Sequence, residues 1–109
     1  ELITENNNSQ GSVITIRGLV IDNTMYSVTN DGVQIELTKK EYELLWFLAS
    51  NTGKIFSREQ LLTEVWGYDG FFGDIRTVDV TIRRLREKLE KEGVNHVVTV
   101  WGLGYKWQY

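Results

Sequence analysis

The stretch from Asp74 to Lys91 carries two patterns at once. Ile75, Val78, Ile82, Leu85 and Leu89 recur with alternating gaps of three and four. At about 100° per residue, that spacing sets them in one narrow stripe along a helix. Arg76, Arg83, Arg84 and Lys91 fall on roughly the opposite side. One face of this helix needs a hydrophobic core, and the other suits anions. A solvated amphipathic helix satisfies the pattern. So does a helix held by a small domain and offered to a phosphate-lined groove. The rest of the chain decides between them.

The 109 residues leave room for one domain, whose core buries about two-thirds of the unfolded surface. No apolar run approaches the roughly 20 residues that span a bilayer, so no membrane partner is expected. The first residues are acidic and polar, unlike a signal peptide. Cysteine is absent and His96 is the single histidine. Disulfides and thiolate metal sites are thereby excluded, His96 alone builds no metal site, and a reducing cytoplasm is compatible. No cofactor is expected.

The net charge of −3 argues against indiscriminate coating of a polyanion. Its distribution says more. Residues 1–50 carry three basic and seven acidic side chains, a net of −4; residues 51–109 carry nine and eight, a net of +1. Within 76–91 there are six basic and three acidic, a net of +3. Positive charge is concentrated on the one helix, which favours a single docking orientation.

Residues 1–12 are polar and aperiodic, and are expected to be a flexible tail or linker trailing something longer. From Val13 the period becomes two: Ile14, Ile16, Leu19, Ile21, Tyr26, Val28, Val33, Ile35 and Leu37 alternate with polar neighbours. Breaks at Arg17-Gly18, Asp22-Asn23-Thr24 and Asn30-Asp31-Gly32 predict a small antiparallel meander. Thr38 with Glu41 forms a capping box ahead of a helix whose Trp46 and Phe47 are expected in the core. Asn51-Thr52-Gly53 stops it. Ser57 with Gln60 caps a second helix that buries Leu61, Leu62, Val65 and Trp66 and ends at Gly67. A glycine-rich loop with Phe71 and Phe72 follows, and Asp74 is the expected N-cap of the arginine helix. After Gly93, Val98, Val100, Tyr105 and Trp107 predict a hairpin turning at Trp101-Gly102-Leu103-Gly104. The layout is α+β: a winged helix-turn-helix with an N-terminal antiparallel sheet, three helices and a C-terminal hairpin wing, all within 13–109.

Several segments together resemble the DNA-binding effector domain of OmpR/PhoB-type response regulators. They are Leu37-Thr38-Lys39-Lys40-Glu41-Tyr42-Glu43-Leu44-Leu45, Phe56-Ser57-Arg58-Glu59-Gln60-Leu61, Val65-Trp66-Gly67, residues 76–89, and Thr99-Val100-Trp101-Gly102-Leu103-Gly104-Tyr105. Order and spacing hold across about residues 13–107. The resemblance implies a cytoplasmic bacterial transcription regulator that binds double-stranded DNA, as a pair on direct repeats. It implies an upstream phosphate-receiving domain, absent from this chain, switched by a sensor histidine kinase. It also implies RNA polymerase contact through Gly67–Gly73, with Tyr68, Asp69, Phe71 and Phe72 as candidates. The recognition helix corresponds to about Asp74–Lys91 and the wing to about Val97–Trp107. The family often has His where this chain has Thr81, and Arg where it has Trp101. Trp101 cannot make a charged minor-groove contact; it packs across the hairpin or lies against sugars.

Arg84, near the centre of the exposed face, is the first candidate for a base, because a guanidinium can bridge guanine O6 and N7. Val80 on that face suits a thymine methyl, or is a tolerated surface valine. Arg76, Thr81, Arg83 and Arg86 are phosphate candidates, Arg86 having an ion pair with Asp79 as its alternative. Lys88 and Lys91 are expected to be solvated. Thr99 and Lys106 are phosphate candidates from the wing. Enzymatic chemistry is not expected, since the carboxylates sit on caps and polar faces. The competing reading is a winged-helix module that binds an acidic protein partner instead of specific DNA.

Overall fold

The computed structural model describes residues 12–67 and 74–109. The expected tail, apart from Ser12, and the candidate loop residues Tyr68, Asp69, Phe71 and Phe72 lie outside the described residues. The chain divides between Glu36 and Leu37 into two compact units.

The first unit is an antiparallel sheet of β1 (Val13–Ile16), β2 (Leu19–Asp22), β3 (Ser27–Asn30) and β4 (Val33–Gln34), neighbours in chain order. Alternation along the strands buries Ile16, Leu19, Ile21 and Val28, with Ile35 just beyond. Asp31 and Gly32 both have positive φ, 50° and 83°, and close the β3–β4 hairpin as the paired left-handed turn that Asp-Gly favours. Two expected inward positions are exposed. Tyr26 sits in the β2–β3 turn with φ 51° rather than in a strand, and Val33 lies on a two-residue edge strand. Asp22 shapes that turn: its carboxylate accepts the N–H groups of Thr24 and Met25 at 2.9 and 3.2 Å.

The second unit holds α1 (Lys39–Ser50), α2 (Arg58–Leu61), α3 (Arg76–Glu90) and a hairpin of β5 (Val97–Val100) and β6 (Gly104–Trp107). Both predicted capping boxes form. Thr38 accepts from Glu41 N–H while Glu41 accepts from Thr38 N–H, and Ser57 and Gln60 do the same. From α1, Tyr42, Leu44, Leu45, Leu48 and Ala49 are buried. Trp46 and Phe47 are only half-buried, Phe47 packing its ring 4.7 Å from that of Phe56. α2 continues as a π-helical turn, Leu62–Trp66, ending at Gly67 with φ 74°. A wider turn breaks the 3.6-residue period, so only Leu61 of the four expected residues is fully buried. Lys40 holds the end of this turn by donating to the Val65 carbonyl at 3.1 Å.

α3 packs against α1 and α2 through Val78, Ile82, Leu85 and Leu89, each no more than 1% exposed. The link Lys54–Phe56 does more than connect α1 to α2. Phe56 forms a bridge to Tyr105, with N–H to carbonyl bonds of 2.9 Å in both directions. That pairing requires Gly104. Its φ is +145°, and a Cβ there would lie 1.9 Å from the Phe56 carbonyl oxygen.

Lys88 is not simply solvated as expected. Its Nζ donates to Glu41 Oε1 at 2.6 Å, and the Glu41 side chain is only 4% exposed. The capping glutamate of α1 faces α3, and a carboxylate buried there needs a counter-charge. Burial pushes the Glu41 pKa up, but the Lys88 hydrogen bond, the Thr38 N–H and the Lys88 charge outweigh it, and the net shift is downward.

Gly104→Ala should cost about 2–4 kcal/mol, from left-handed strain and the overlap with Phe56, read as a lowered urea midpoint. Lys88→Met should cost about 1–2 kcal/mol at pH 7, because it strands a buried carboxylate. The figure is discounted because Lys88 is 39% exposed. The folded Glu41 pKa is depressed, so its contribution is present above the ordinary carboxylate range and is lost as pH falls through the folded value. The difference between wild type and Lys88→Met should therefore shrink on acidification, as followed by denaturant midpoints from pH 7 to 3.

Candidate nucleic-acid interface

The four-residue core stripe fixes which way α3 turns its charges. Arg83 and Arg84 are exposed, with no hydrogen bond or ion pair among the described residues. Val80 is half-exposed on the same side. These three stand as the chain's pattern placed them, with side chains available to a ligand.

The other candidates on α3 are engaged within the chain. Asp74 is not the N-cap that was expected: the helix is capped at Ile75 with no side-chain cap bond, and the Asp74 carboxylate, one residue too early, accepts from the Arg76 N–H at 2.9 Å. The same carboxylate takes the Arg76 guanidinium in two bonds, at 2.9 Å from Nε and 2.6 Å from Nη2. That bond to Arg76 holds the Asp74 pKa below its ordinary value. Both groups are solvent-exposed, so an incoming phosphate can compete for the guanidinium. The Thr81 hydroxyl donates to the Thr77 carbonyl at 2.8 Å, one turn back. Its lone pairs remain to accept, but its proton is already used.

Arg86 does not pair with Asp79. Its Nη1 donates to Thr99 Oγ1 at 2.8 Å and more weakly to the Val97 carbonyl at 3.4 Å. Its guanidinium lies 5.8 Å from the centre of the Tyr105 ring. Arg86 sits beside the core stripe, so it reaches the wing rather than solvent. Asp79 instead accepts from Arg58 Nη1 at 2.9 Å and from the Tyr105 hydroxyl at 2.7 Å. Burial, followed by the bond to Asp79, raises the Tyr105 pKa. Arg58 was not a candidate from sequence. The signal that could have found its partner is that Asp79 is the one acid between Arg76 and Arg86.

The wing candidates separate. Thr99 pairs with Tyr105 across the hairpin, and Lys106 pairs with Val98. Adjacent pairs face opposite sides, so Thr99 and Lys106 are not brought together. Thr99 faces α3 and Lys106 faces away. Trp101, in the turn, is 90% exposed and Leu103 60%. Trp101 therefore does not pack across the hairpin. The inner side of the wing, the start of α2 and Asp79 border an open cleft of about 490 Å³.

Residues 32–107 match the family model described as transcriptional regulatory protein, C terminal. Over 100 residues the chain is 52% identical to the transcriptional regulatory protein ResD of Bacillus subtilis (strain 168), a match covering 89% of this chain and 41% of ResD. Among solved structures, the response regulator DrrB of Thermotoga maritima, an OmpR/PhoB homolog, matches with a TM-score of 0.79 at 36% identity. That match covers 90% of this chain and 45% of DrrB. The DNA-binding domain of Klebsiella pneumoniae RstA, solved in complex with the RstA box, matches with a TM-score of 0.76 at 34% identity. It covers 90% of this chain and 98% of that domain. The chain thus spans about two-fifths of the length of ResD.

Tyr105 offers a check on the site geometry. Its phenol should titrate above the ordinary tyrosine range, and Asp79→Asn should bring it down by removing the neighbouring negative charge. Ultraviolet titration of wild type, Tyr105→Phe and Asp79→Asn reads both effects.

Proposed function

The chain belongs to the family of transcriptional regulatory protein C-terminal domains, of OmpR/PhoB type, and on that premise we propose how its described surface reads DNA. It is the sequence-specific double-stranded DNA-binding effector domain of a bacterial two-component transcription regulator. α3 enters the major groove and the β5–β6 wing lies beside it. The observation that carries this is the outward pair Arg83 and Arg84, exposed and without a side-chain partner among the described residues, on a helix whose opposite face buries Val78, Ile82, Leu85 and Leu89. A buried stripe gives the helix one fixed roll angle, so its exposed side chains meet a groove in one register.

Arg84 reads a base, with Val80 against a thymine methyl beside it. Arg83 holds phosphate. Arg76 joins it by exchanging Asp74 for a phosphate oxygen, and Thr81 has a lesser role, donating its hydroxyl to a phosphate oxygen in exchange for the Thr77 carbonyl. Arg86 and Thr99, bonded to each other, contribute chiefly by setting the wing, with the remaining capacity of Thr99 open to phosphate. Lys106 approaches the backbone from the outer side of the wing, and Trp101 lies against sugars. No catalysis, cofactor or metal enters this reading.

The remaining partners follow the family. Two copies bind direct repeats, RNA polymerase meets the loop containing Tyr68, Asp69, Phe71 and Phe72, and a receiver domain answers a sensor histidine kinase in the cytoplasm. Residues 13–109 act as the binding module, with 1–12 as its linker.

Selection of bound sites from a random duplex pool, followed by salt-titrated mobility shifts, tests the proposal. Arg84→Ala should relax sequence preference by about 1–3 kcal/mol. Arg83→Ala should weaken all duplexes alike and flatten the salt slope by about one unit. Identical behaviour of the two variants on selected and scrambled duplexes would sink the assignment. Absence of binding even at low salt would favour a protein partner instead.

A further inference from the structure

We propose that Asp79 is a positioning residue: its carboxylate holds α2 and the wing against α3, so that the three elements meet a duplex as one surface. The proposal rests on the DNA-binding reading above.

Asp79 joins elements that are distant in sequence. One carboxylate oxygen takes Arg58 at the start of α2, 21 residues away, and the other takes Tyr105 in β6, 26 residues away. The Arg58 bond contributes little to stability, because the Arg58 and Asp79 side chains are 45% and 36% exposed and such pairs are weak in water. The effect of the two bonds together is geometric. Tyr105 is already tied by its backbone to Phe56 in both directions, so fixing its hydroxyl fixes the root of the wing.

A second tie lies seven residues further along α3, where Arg86 holds Thr99 and the Val97 carbonyl. Seven residues of helix rise about 10 Å. One tie leaves the hairpin able to pivot, whereas two ties that far apart set its angle to α3. Both act on the same face of the hairpin, the one carrying Thr99 and Tyr105. What they aim is the turn, where Trp101 and Leu103 stand exposed. The cleft between wing and α2 has Arg58, Asp79 and Tyr105 in its wall, so loss of the hub frees both sides. A surface held in its bound geometry avoids the ordering cost that a loose one incurs on binding.

The test compares wild type, Tyr105→Phe, Trp101→Ala and the double variant on a selected duplex and a scrambled one, across salt. Tyr105→Phe should bind the selected duplex about fivefold more weakly. Its salt slope should fall by less than that of Arg83→Ala, since Tyr105 itself holds no phosphate and only the wing's share of the backbone contacts is loosened. Trp101→Ala should cost less in the Tyr105→Phe background than in wild type, because the wing is no longer aimed. Asp79→Asn keeps an acceptor for the phenol and should lose less than Asp79→Ala. Residual dipolar couplings should align wing and α3 as one body in wild type but not in Tyr105→Phe. If wild type binds and Tyr105→Phe binds equally well, or if the two substitutions are additive, positioning by Asp79 is overturned while DNA binding stands. Independent alignment of wing and α3 in wild type overturns it equally, and that measurement needs no variant to fold. A wild type that binds no duplex overturns the DNA-binding reading and this proposal with it.

Discussion

Everything in the second unit depends on the burial of one stripe. Val78, Ile82, Leu85 and Leu89 are each at or below 1% exposure, packed where α1 and α2 meet α3. Burying a side chain of this size is favourable by about 1.5–3 kcal/mol, an upper estimate once a compact unfolded state is allowed for. Surface ion pairs of the kind seen around α3 contribute about 0–1 kcal/mol each. The stripe therefore decides the roll of α3, and the charged side chains take the positions that roll leaves them.

Those positions sort the cations by direction. Lys88 points toward α1 and neutralises the buried Glu41. Arg86 points toward the wing and binds Thr99. Arg76, at the exposed N-terminal end, meets the Asp74 carboxylate, which also accepts its backbone N–H. Arg83 and Arg84 are exposed, with no side-chain partner among the described residues. One helix thus uses arginine and lysine both to assemble its own domain and to present a charged face, and only the direction of the side chain separates the two uses. Charge totals along the sequence cannot make that distinction.

Local signals were legible where the interaction is local. Both capping boxes, the Asp31-Gly32 turn and the stripe of α3 depend on residues within a few positions of each other. Local reading failed where a distant group intervenes. The partner of Lys88 lies 47 residues away, and Arg86 bonds Thr99 and leaves Asp79 to Arg58 and Tyr105. The π-helical turn displaced Leu62, Val65 and Trp66 from full burial because a period count assumes 3.6 residues per turn. Thr99 and Lys106 were both phosphate candidates from the wing, and only strand register shows that they stand on opposite faces of it.

The amino-acid sequence by itself determined the element order, the two capping boxes, the Asp31-Gly32 turn, the buried face of α3 and the outward placement of Arg83 and Arg84. Each follows from periodicity or from short-range hydrogen bonding, which the chain carries without knowing its neighbours. Tertiary structure alone decided which cations are occupied, how Phe56 joins the wing through Gly104, and how one carboxylate at Asp79 ties α2 and the hairpin to α3. Those outcomes depend on side chains from separate elements arriving within about 3 Å of one another, and the packing of the helices, not their spacing in the chain, brings them there.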